Sequence, residues 1–237
     1  MRAPAAHTVA TRDGELPAHL WLPADDGPRP GLVVVQEIFG VSDYITARCA
    51  DLADLGYAVL APELYGRLED AEVDESDPDF LQRAMAIAGR LDWDLAVQDT
   101  LAAVADLSAR PEVGQVGLVG FCFGGGLAFQ VAAQGDPAAL VSYYGSALPQ
   151  LTGMAAQVTC PQLHHFGTAD TFIPMGQVEQ VRSAVTADGT RPDVEFEVHD
   201  GAGHAFDNPH PMFHHAGASA AAWAQTTDFL ARVLPTA

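Results

Sequence analysis

Continuous apolar runs that alternate with amphipathic segments restrict the fold of this 237-residue chain more than any other feature. Runs such as RPGLVVVQEIFG (29–40) and VGLVG, within a strand at 115–120, lack the alternation of a half-exposed strand and are typical of strands covered on both faces. Helical periodicity follows at about 79–90, 92–109 and 123–134. Strands that alternate with helices predict an α/β fold with a mostly parallel central sheet flanked by helices on both faces.

The remaining segments continue this alternation, and no linker or internal repeat divides them. We expect a single α/β domain over 1–237, with a variable acidic excursion at about 66–80 (GRLEDAEVDESDPDF) on its surface. Further strands are predicted in YAVLAPEL, AALVSYYG, CPQLHHFGTAD and DVEFEVHDGAGHAF, and further helices from Ser42 or Asp43 to Gly56, over 174–187 and in AGASAAAWAQTTDFLARVL.

Composition and charge exclude several classes of protein. A hydrophobic fraction of 49% with 18% charged residues indicates a globular chain. A net charge of −20 argues against binding to nucleic acid or to an anionic membrane surface. No apolar run approaches the ~20 residues of a membrane span, and no secretion signal is evident, so we expect a cytoplasmic protein. No metal-ligand spacing or phosphate-binding glycine motif occurs, and neither metal nor cofactor is predicted.

The stretch VGLVGFCFGGGLAFQ reads as a strand, a sharp turn and a helix, with a cysteine at the turn. Gly120 and Gly124 flank Cys122 in the pattern G-x-C-x-G. Small neighbours leave such a side chain accessible, and the following helix N-terminus favours a thiolate and can receive an oxyanion. The alternative is a buried cysteine without a chemical role, which is how we interpret Cys49 and Cys160.

Asp170 and His204 are predicted in loops at the carboxyl ends of two later strands, where functional groups of parallel sheets gather. The order Cys122, Asp170, His204 matches the nucleophile, acid and histidine of the α/β-hydrolase plan, with a thiol in place of the hydroxyl. His204 can move a proton, and Asp170 can orient it. Asp170 could instead be an ordinary N-cap of the helix at 174–187.

Five motifs in order resemble the dienelactone hydrolase family over about residues 30–234: VVVQEIFGV, GLVGFCFGGGLAF, SYYG, GTADTFIP and GAGHAF. The resemblance implies an α/β-hydrolase that cleaves a small lactone or carboxylic ester through an acyl-enzyme. It adds Glu37 as a carboxylate that helps to generate the thiolate, and the N–H groups of Ile38 and Phe123 as the oxyanion hole. Tyr143 matches a tyrosine that lines the family's active site.

The substrate-binding residues of the family match less well. Family members hold a substrate carboxylate with two arginines, and the resemblance offers Arg83 as the nearest candidate for one of them. Asn208 stands where the other is expected, and Ala205 replaces a serine beside the histidine. A thioesterase- or peptidase-like hydrolase with a different acyl substrate, or a non-catalytic binding protein on the same fold, therefore stays open. A monomer or small homo-oligomer is expected.

Overall fold

A computed structural model describes residues 3–23 and 27–236. The contacts within the chain divide it into two compact units, the first ending at Val116 and the second beginning at Gly117. The boundary falls inside a strand, β5 (Val113–Phe121), rather than in a linker. No helix in the described ranges is both long and apolar enough to cross a membrane.

The first unit contains four strands in the order β1-β2-β4-β3. β1 and β2 are antiparallel, as are β2 and β4, whereas β3 and β4 are parallel. Every residue of β4 is buried, as is typical of a strand covered on both faces. The elements are β1 (Ala5–Thr11), β2 (Gly14–Trp21), β3 (Arg29–Val35), α1 (Asp43–Asp54), β4 (Ala58–Pro62), a 3₁₀ helix (Leu64–Arg67), α2 (Phe80–Ala88) and α3 (Trp93–Ser108).

The hairpin of β1 and β2 was not predicted, since the first expected strand begins at 29. Its strands close at Thr11 and Gly14, and Gly14 has a φ of +113°. The predicted strand at 29–40 is too long: β3 ends at Val35, because the chain turns between Glu37 and Gly40. Gly40 takes a φ of +80°, which favours glycine at that turn.

The acidic excursion is mostly exposed, and arginine side chains attach it to the rest of the first unit. Arg83 Nε donates to the Glu72 carbonyl at 2.6 Å, and Arg90 Nη2 donates to the Glu69 carbonyl at 2.7 Å. At its start, Arg67 holds the buried carboxylate of Asp99 with two bonds of 2.7 and 2.8 Å. The excursion is therefore fixed by charge-assisted hydrogen bonds rather than by an apolar core.

The second unit contains parallel strands in the order β5-β6-β7-β8. All residues of β6 and β7 are buried, and the helix after β5 is buried on nearly all sides. This explains the near-continuous apolar sequence of the region. The elements after β5 are α4 (Phe123–Gln134), β6 (Leu140–Tyr143), α5 (Leu148–Leu151), a 3₁₀ helix (Thr152–Gln157), β7 (Gln162–Gly167), α6 (Met175–Val185), β8 (Val194–His199) and α7 (Ala216–Val233).

Candidate active site

Cys122 lies at a strained turn between β5 and α4. Its φ of +52° and ψ of −114° place a non-glycine residue in a backbone region that side chains rarely adopt. The turn is tight, because a β-carbon at Gly120 would overlap the backbone of Gly124. Strain of this kind persists only where the surrounding structure imposes it, and it concentrates at functional sites. The structure thus contains the predicted sharp turn between strand and helix. Cys122 itself is 7% exposed, however, so the expectation that its small neighbours leave the side chain accessible is wrong.

Asp170 follows β7 and uses its two carboxylate oxygens differently. Oδ1 accepts hydrogen bonds from the backbone N–H groups of Phe172 at 2.7 Å and Ile173 at 3.0 Å. Oδ2 lies 2.7 Å from Nδ1 of His204. Because α6 begins at Met175 with Pro174 as its N-cap, the interpretation of Asp170 as the cap of that helix is wrong. The backbone bonds instead fix the orientation of the carboxylate.

His204 lies between Asp170 and Cys122. Its Nε2 lies 3.1 Å from the Cys122 sulfur, while its Nδ1 faces Asp170 Oδ2. The carboxylate is fully buried and the imidazole is 13% exposed, so solvent screens these interactions little. All three side chains come from the second unit. The arrangement allows one imidazole to exchange a proton with the thiol while a carboxylate orients it.

The charge state of His204 depends on this pairing. Burial by itself lowers the pKa of His204, but the neighbouring Cys122 sulfur and the Asp170 carboxylate outweigh burial and raise that pKa to about 10. An imidazolium next to the sulfur is therefore favoured at neutral pH. Such an imidazolium stabilises a thiolate, which is the nucleophilic form of cysteine.

The loops of Asp170 and His204 are joined by backbone and side-chain hydrogen bonds. Thr168 N–H donates to the His199 carbonyl at 2.9 Å, and Ala169 N–H donates to the Ala202 carbonyl at 2.9 Å. The Thr168 hydroxyl oxygen accepts from Gly201 N–H at 2.8 Å. These bonds fix the two loops relative to each other, directly before the positions of Asp170 and His204.

Two aromatic side chains beside His204 were missed from the sequence. The rings of Tyr144 and Phe172 lie 5.3 and 5.1 Å from the imidazole, centroid to centroid. Tyr144 has a φ of +38° and Ala205, directly after His204, a φ of +57°. Together with Cys122, three of the six described non-glycine residues with positive φ therefore lie at this site. Phe172 is 61% exposed, which is unusual for a large apolar residue.

Tyr143 takes a different place from the one predicted. Its side chain is fully buried, and its hydroxyl bonds to Thr226 Oγ1 at 2.7 Å and to the Ala222 carbonyl at 3.2 Å. Of the two tyrosines in SYYG, Tyr144 is the one beside His204. The sequence SYYG holds no signal that separates them, because the two identical side chains lie next to each other where a buried strand ends: Tyr143 is the last residue of β6 and Tyr144 follows it.

The other predicted site residues lie at the following places. Phe123 is the first residue of α4, where backbone N–H groups point out of the helix. In the first unit, Glu37 is fully buried just after β3, and the Ile38 carbonyl accepts a hydrogen bond from the Tyr65 hydroxyl at 3.0 Å. Arg83 is exposed and bonded to the acidic excursion. The roles predicted for these residues remain predictions.

Asn208 is almost completely buried, in the second unit. Its Oδ1 accepts from His210 N–H at 2.9 Å, and its N–H donates to the Ala205 carbonyl at 2.9 Å. The side chain therefore stabilises the turn that follows His204. This position offers no cation to a substrate carboxylate.

Comparisons with known proteins identify the class. The model of the dienelactone hydrolase family matches residues 16–234. A carboxymethylenebutenolidase from Pseudomonas sp. (strain P51) is 36% identical over 226 residues, which cover 94% of this chain and 92% of the relative. The crystal structure of a dienelactone hydrolase-like promiscuous phosphotriesterase from metagenomic libraries has a TM-score of 0.78 and 28% identity, covering 98% of this chain and 99% of that one.

A more distant structure agrees at the level of the fold. Esterase 2 of Thermogutta terrifontis matches with a TM-score of 0.72 at 16% identity, covering 100% of this chain and 96% of that one. The protein is an α/β-hydrolase-fold enzyme, as predicted. The chain belongs to the dienelactone hydrolase family, and it is a hydrolase that acts on ester or lactone substrates.

Proposed function

We propose that the protein hydrolyses a small lactone or carboxylic ester with Cys122 as nucleophile, His204 as acid and base, and Asp170 as the orienting carboxylate. The observation that carries the proposal is the position of His204, with Nε2 3.1 Å from the Cys122 sulfur and Nδ1 2.7 Å from Asp170 Oδ2. The name of the Pseudomonas relative points to a butenolide, a lactone that carries a carboxylate.

The chemistry begins with attack of the thiolate on the carbonyl carbon. A carbon–sulfur bond forms, and the carbonyl electron pair moves to oxygen, where the N–H of Phe123 and, by resemblance, that of Ile38 stabilise it. Collapse of this intermediate breaks the carbon–oxygen bond, and the His204 imidazolium gives its proton to the leaving alkoxide. In a lactone, that alcohol stays attached to the acyl group.

Water then attacks the thioester. His204, now neutral, accepts a proton from the water, the carbon–sulfur bond breaks, and the acid leaves with the enzyme back in its thiolate–imidazolium form. Asp170 keeps Nδ1 of His204 protonated throughout and stabilises the imidazolium. Glu37 enters this proposal on the family resemblance alone, as an aid to deprotonation of the thiol. Neither a metal nor a cofactor takes part.

Recognition of a negatively charged substrate depends on residues other than those that carry out the hydrolysis. By resemblance, Arg83 would contact a substrate carboxylate, whereas Asn208 supplies no second cation. We therefore expect a weaker preference for carboxylated lactones than two arginines would give. A cytoplasmic location and a monomeric or small homo-oligomeric state stay proposals from the sequence.

The decisive experiment follows acylation and turnover together. Wild type and Cys122→Ala are incubated with a carboxylated butenolide, an uncharged lactone, p-nitrophenyl acetate, a thioester and a peptide, and product and intact mass are recorded. We expect turnover of lactone and ester, an acyl adduct on Cys122 in rapidly quenched samples, and neither in Cys122→Ala. Turnover of the thioester or peptide alone would favour the other acyl substrates. Full activity in Cys122→Ala would overturn the mechanism.

A further inference from the structure

A chain of buried polar side chains lies under the candidate site, at the carboxyl ends of β6, β7 and β8. Tyr143 OH lies 2.7 Å from Thr226 Oγ1, which lies 3.0 Å from His165 Nε2. His165 Nδ1 lies 3.1 Å from His199 Nε2. Tyr143, His165 and Thr226 are completely buried, and His199 is 8% exposed. Nothing in the proposed mechanism uses these four residues.

The direction of every hydrogen bond among these four side chains follows from the acceptor at one end of the series, the Ala222 carbonyl. The carbonyl of Ala222 can only accept, so the Tyr143 hydroxyl donates to it at 3.2 Å. The Tyr143 oxygen then accepts from the Thr226 hydroxyl, whose oxygen in turn accepts from His165 Nε2–H. Burial, followed by the neighbouring His199 and His164, holds the pKa of His165 well below its ordinary value. A neutral His165 protonated on Nε2 must accept at Nδ1, which requires His199 to carry its proton on Nε2.

The backbones of the same residues hold the candidate site. The Tyr143 carbonyl accepts from Cys122 N–H at 3.0 Å, at the strained turn. The His165 carbonyl accepts from the N–H of Tyr144 at 2.7 Å, and the Tyr144 ring contacts His204. The His199 carbonyl accepts from Thr168 N–H, which joins the loops of Asp170 and His204. A change in the hydrogen bonds among these four side chains therefore acts on three backbone segments that carry the proposed catalytic groups.

Thr226 occupies the centre of this chain and comes from a separate element, α7. A threonine in a helix commonly donates to the carbonyl four residues earlier, as Thr100 does to Ala96 at 2.8 Å. At Thr226, the corresponding carbonyl of Ala222 is bonded by the Tyr143 hydroxyl, and the threonine oxygen lies between tyrosine and histidine. A hydroxyl there accepts one bond and donates the next, which an apolar side chain cannot do.

We infer that Thr226 is a positioning residue whose hydroxyl fixes the tautomers of His165 and His199 and thereby holds the segments that present Cys122 and His204. The inference rests on the proposed function for the catalytic consequence, while the tautomers can be measured without it. The substitution Thr226→Val keeps the shape of the side chain but removes its hydroxyl. The buried Nε2–H of His165 then loses its acceptor.

The test compares Thr226→Val and Thr226→Ser with the control Thr227→Val. The Thr227 hydroxyl donates to the Ala224 carbonyl at the surface of the same helix. Long-range ¹H–¹⁵N spectra of the imidazoles report the tautomers, and ester hydrolysis reports kcat and KM. We expect Nε2–H tautomers of His165 and His199 in wild type, Thr226→Ser and Thr227→Val. Thr226→Val should change the His165 signals and lower kcat on the order of 10-fold, with KM nearly unchanged.

An Nδ1–H tautomer of His165 in the wild type would overturn the inference, and this measurement needs no variant. Wild-type kcat and unchanged imidazole signals in folded Thr226→Val would also overturn it, as would failure of Thr226→Ser to restore kcat. If Thr226→Val does not fold, the wild-type spectra and Thr226→Ser still decide. If Cys122→Ala keeps full activity, the proposed function fails while the measured tautomers still test the polar chain.

Discussion

A β-carbon at residue 167 would overlap the backbone carbonyl of Ala202, so the end of β7 and the loop before His204 can approach this closely only because residue 167 is glycine. The same two segments carry Asp170 and His204 and are joined by Thr168 and Ala169. The distance between the Asp170 carboxylate and the His204 imidazole thus depends on this close contact of the two backbone segments.

Gly167→Ala is expected to displace the 202–204 segment and to lower kcat on the order of 100-fold, because a misplacement near 1 Å is costly to catalysis. Overpacking should also reduce the free energy of unfolding by about 1–3 kcal/mol. Ester hydrolysis and urea unfolding measure the two effects. The control is Gly176→Ala in α6, where a β-carbon meets no atom within 4 Å. Equal activities of the two variants would contradict the backbone explanation.

Asp170→Asn should reverse the hydrogen bonding of His204. The N–H groups of Phe172 and Ile173 hold the amide oxygen, so the amide NH₂ faces His204 Nδ1. Nδ1 must then accept, and the remaining proton moves to Nε2, opposite the Cys122 sulfur. We expect kcat to fall on the order of 10³- to 10⁴-fold. The exposed Asp200→Asn is the control. A loss of less than about 10-fold in Asp170→Asn would exclude Asp170 as the orienting group.

The raised pKa of His204 predicts a pH-dependent stability. Below its ordinary pKa of 6.5, the imidazole is protonated in both the unfolded and the folded protein, and its interactions with Cys122 and Asp170 contribute fully. As the pH rises from 6.5 to about 10, the unfolded chain loses this proton first, so the contribution declines. The free energy of unfolding of wild type relative to His204→Gln should fall over this range. The NMR titration of His204 should have its midpoint near the upper end, and a midpoint near 6.5 would refute the pairing.

Iodoacetamide at neutral pH is expected to modify Cys122 alone. Burial raises the pKa of Cys49 far above its ordinary value, and burial raises the pKa of Cys160 to about 11, so both stay thiols. Cys122 has the His204 imidazole beside its sulfur. Peptide mass spectrometry of native protein should find one labelled cysteine, and Cys122→Ala should remain unlabelled. Equal labelling of Cys160 and Cys122 would show that the imidazole does not activate the thiol.

Arg67→Ala should be among the most destabilising arginine substitutions in the first unit. Asp99 is 2% exposed, and removal of the guanidinium leaves its carboxylate buried without that partner. A cost of about 3–5 kcal/mol in the free energy of unfolding is expected. Arg90→Ala, which removes an exposed bond to the Glu69 carbonyl, should cost less than about 1 kcal/mol. Urea unfolding measures both, and similar losses would contradict a special role of the buried pair.

The periodicity of the sequence was sufficient for most of the fold. Buried parallel strands and the helices between them leave long apolar and amphipathic patterns, and the predicted helix at 123–134 agrees with α4. The hairpin of β1 and β2 was missed because β1 is mostly exposed and leaves little apolar signal. The turn signal was present in Gly14, which follows the two-residue turn at 12–13 with a positive φ. Glu37 and Gly40 close a turn that the apolar run conceals, so β3 was predicted too long.

The proximity of Cys122, Asp170 and His204 could be inferred from the sequence because strand ends converge at one edge of a parallel sheet. Which of two adjacent tyrosines contacts His204 could not, since it depends on the positive φ of Tyr144 at the end of β6. The sequence also could not predict the hydrogen-bonded series of buried side chains formed by Tyr143, Thr226, His165 and His199. Its members lie up to 83 positions apart, and the sequence pattern marks none of them as partners.

The backbone conformation of Cys122 limits how this family member can change its chemistry over evolution. At a φ of +52°, a side chain branched at the β-carbon is strongly disfavoured, so threonine is excluded as a replacement nucleophile. Glycine would relax the turn but has no nucleophile. Serine is the smallest chemical change that keeps a nucleophile at this turn, because it exchanges a single atom of the proposed thiol nucleophile, oxygen for sulfur.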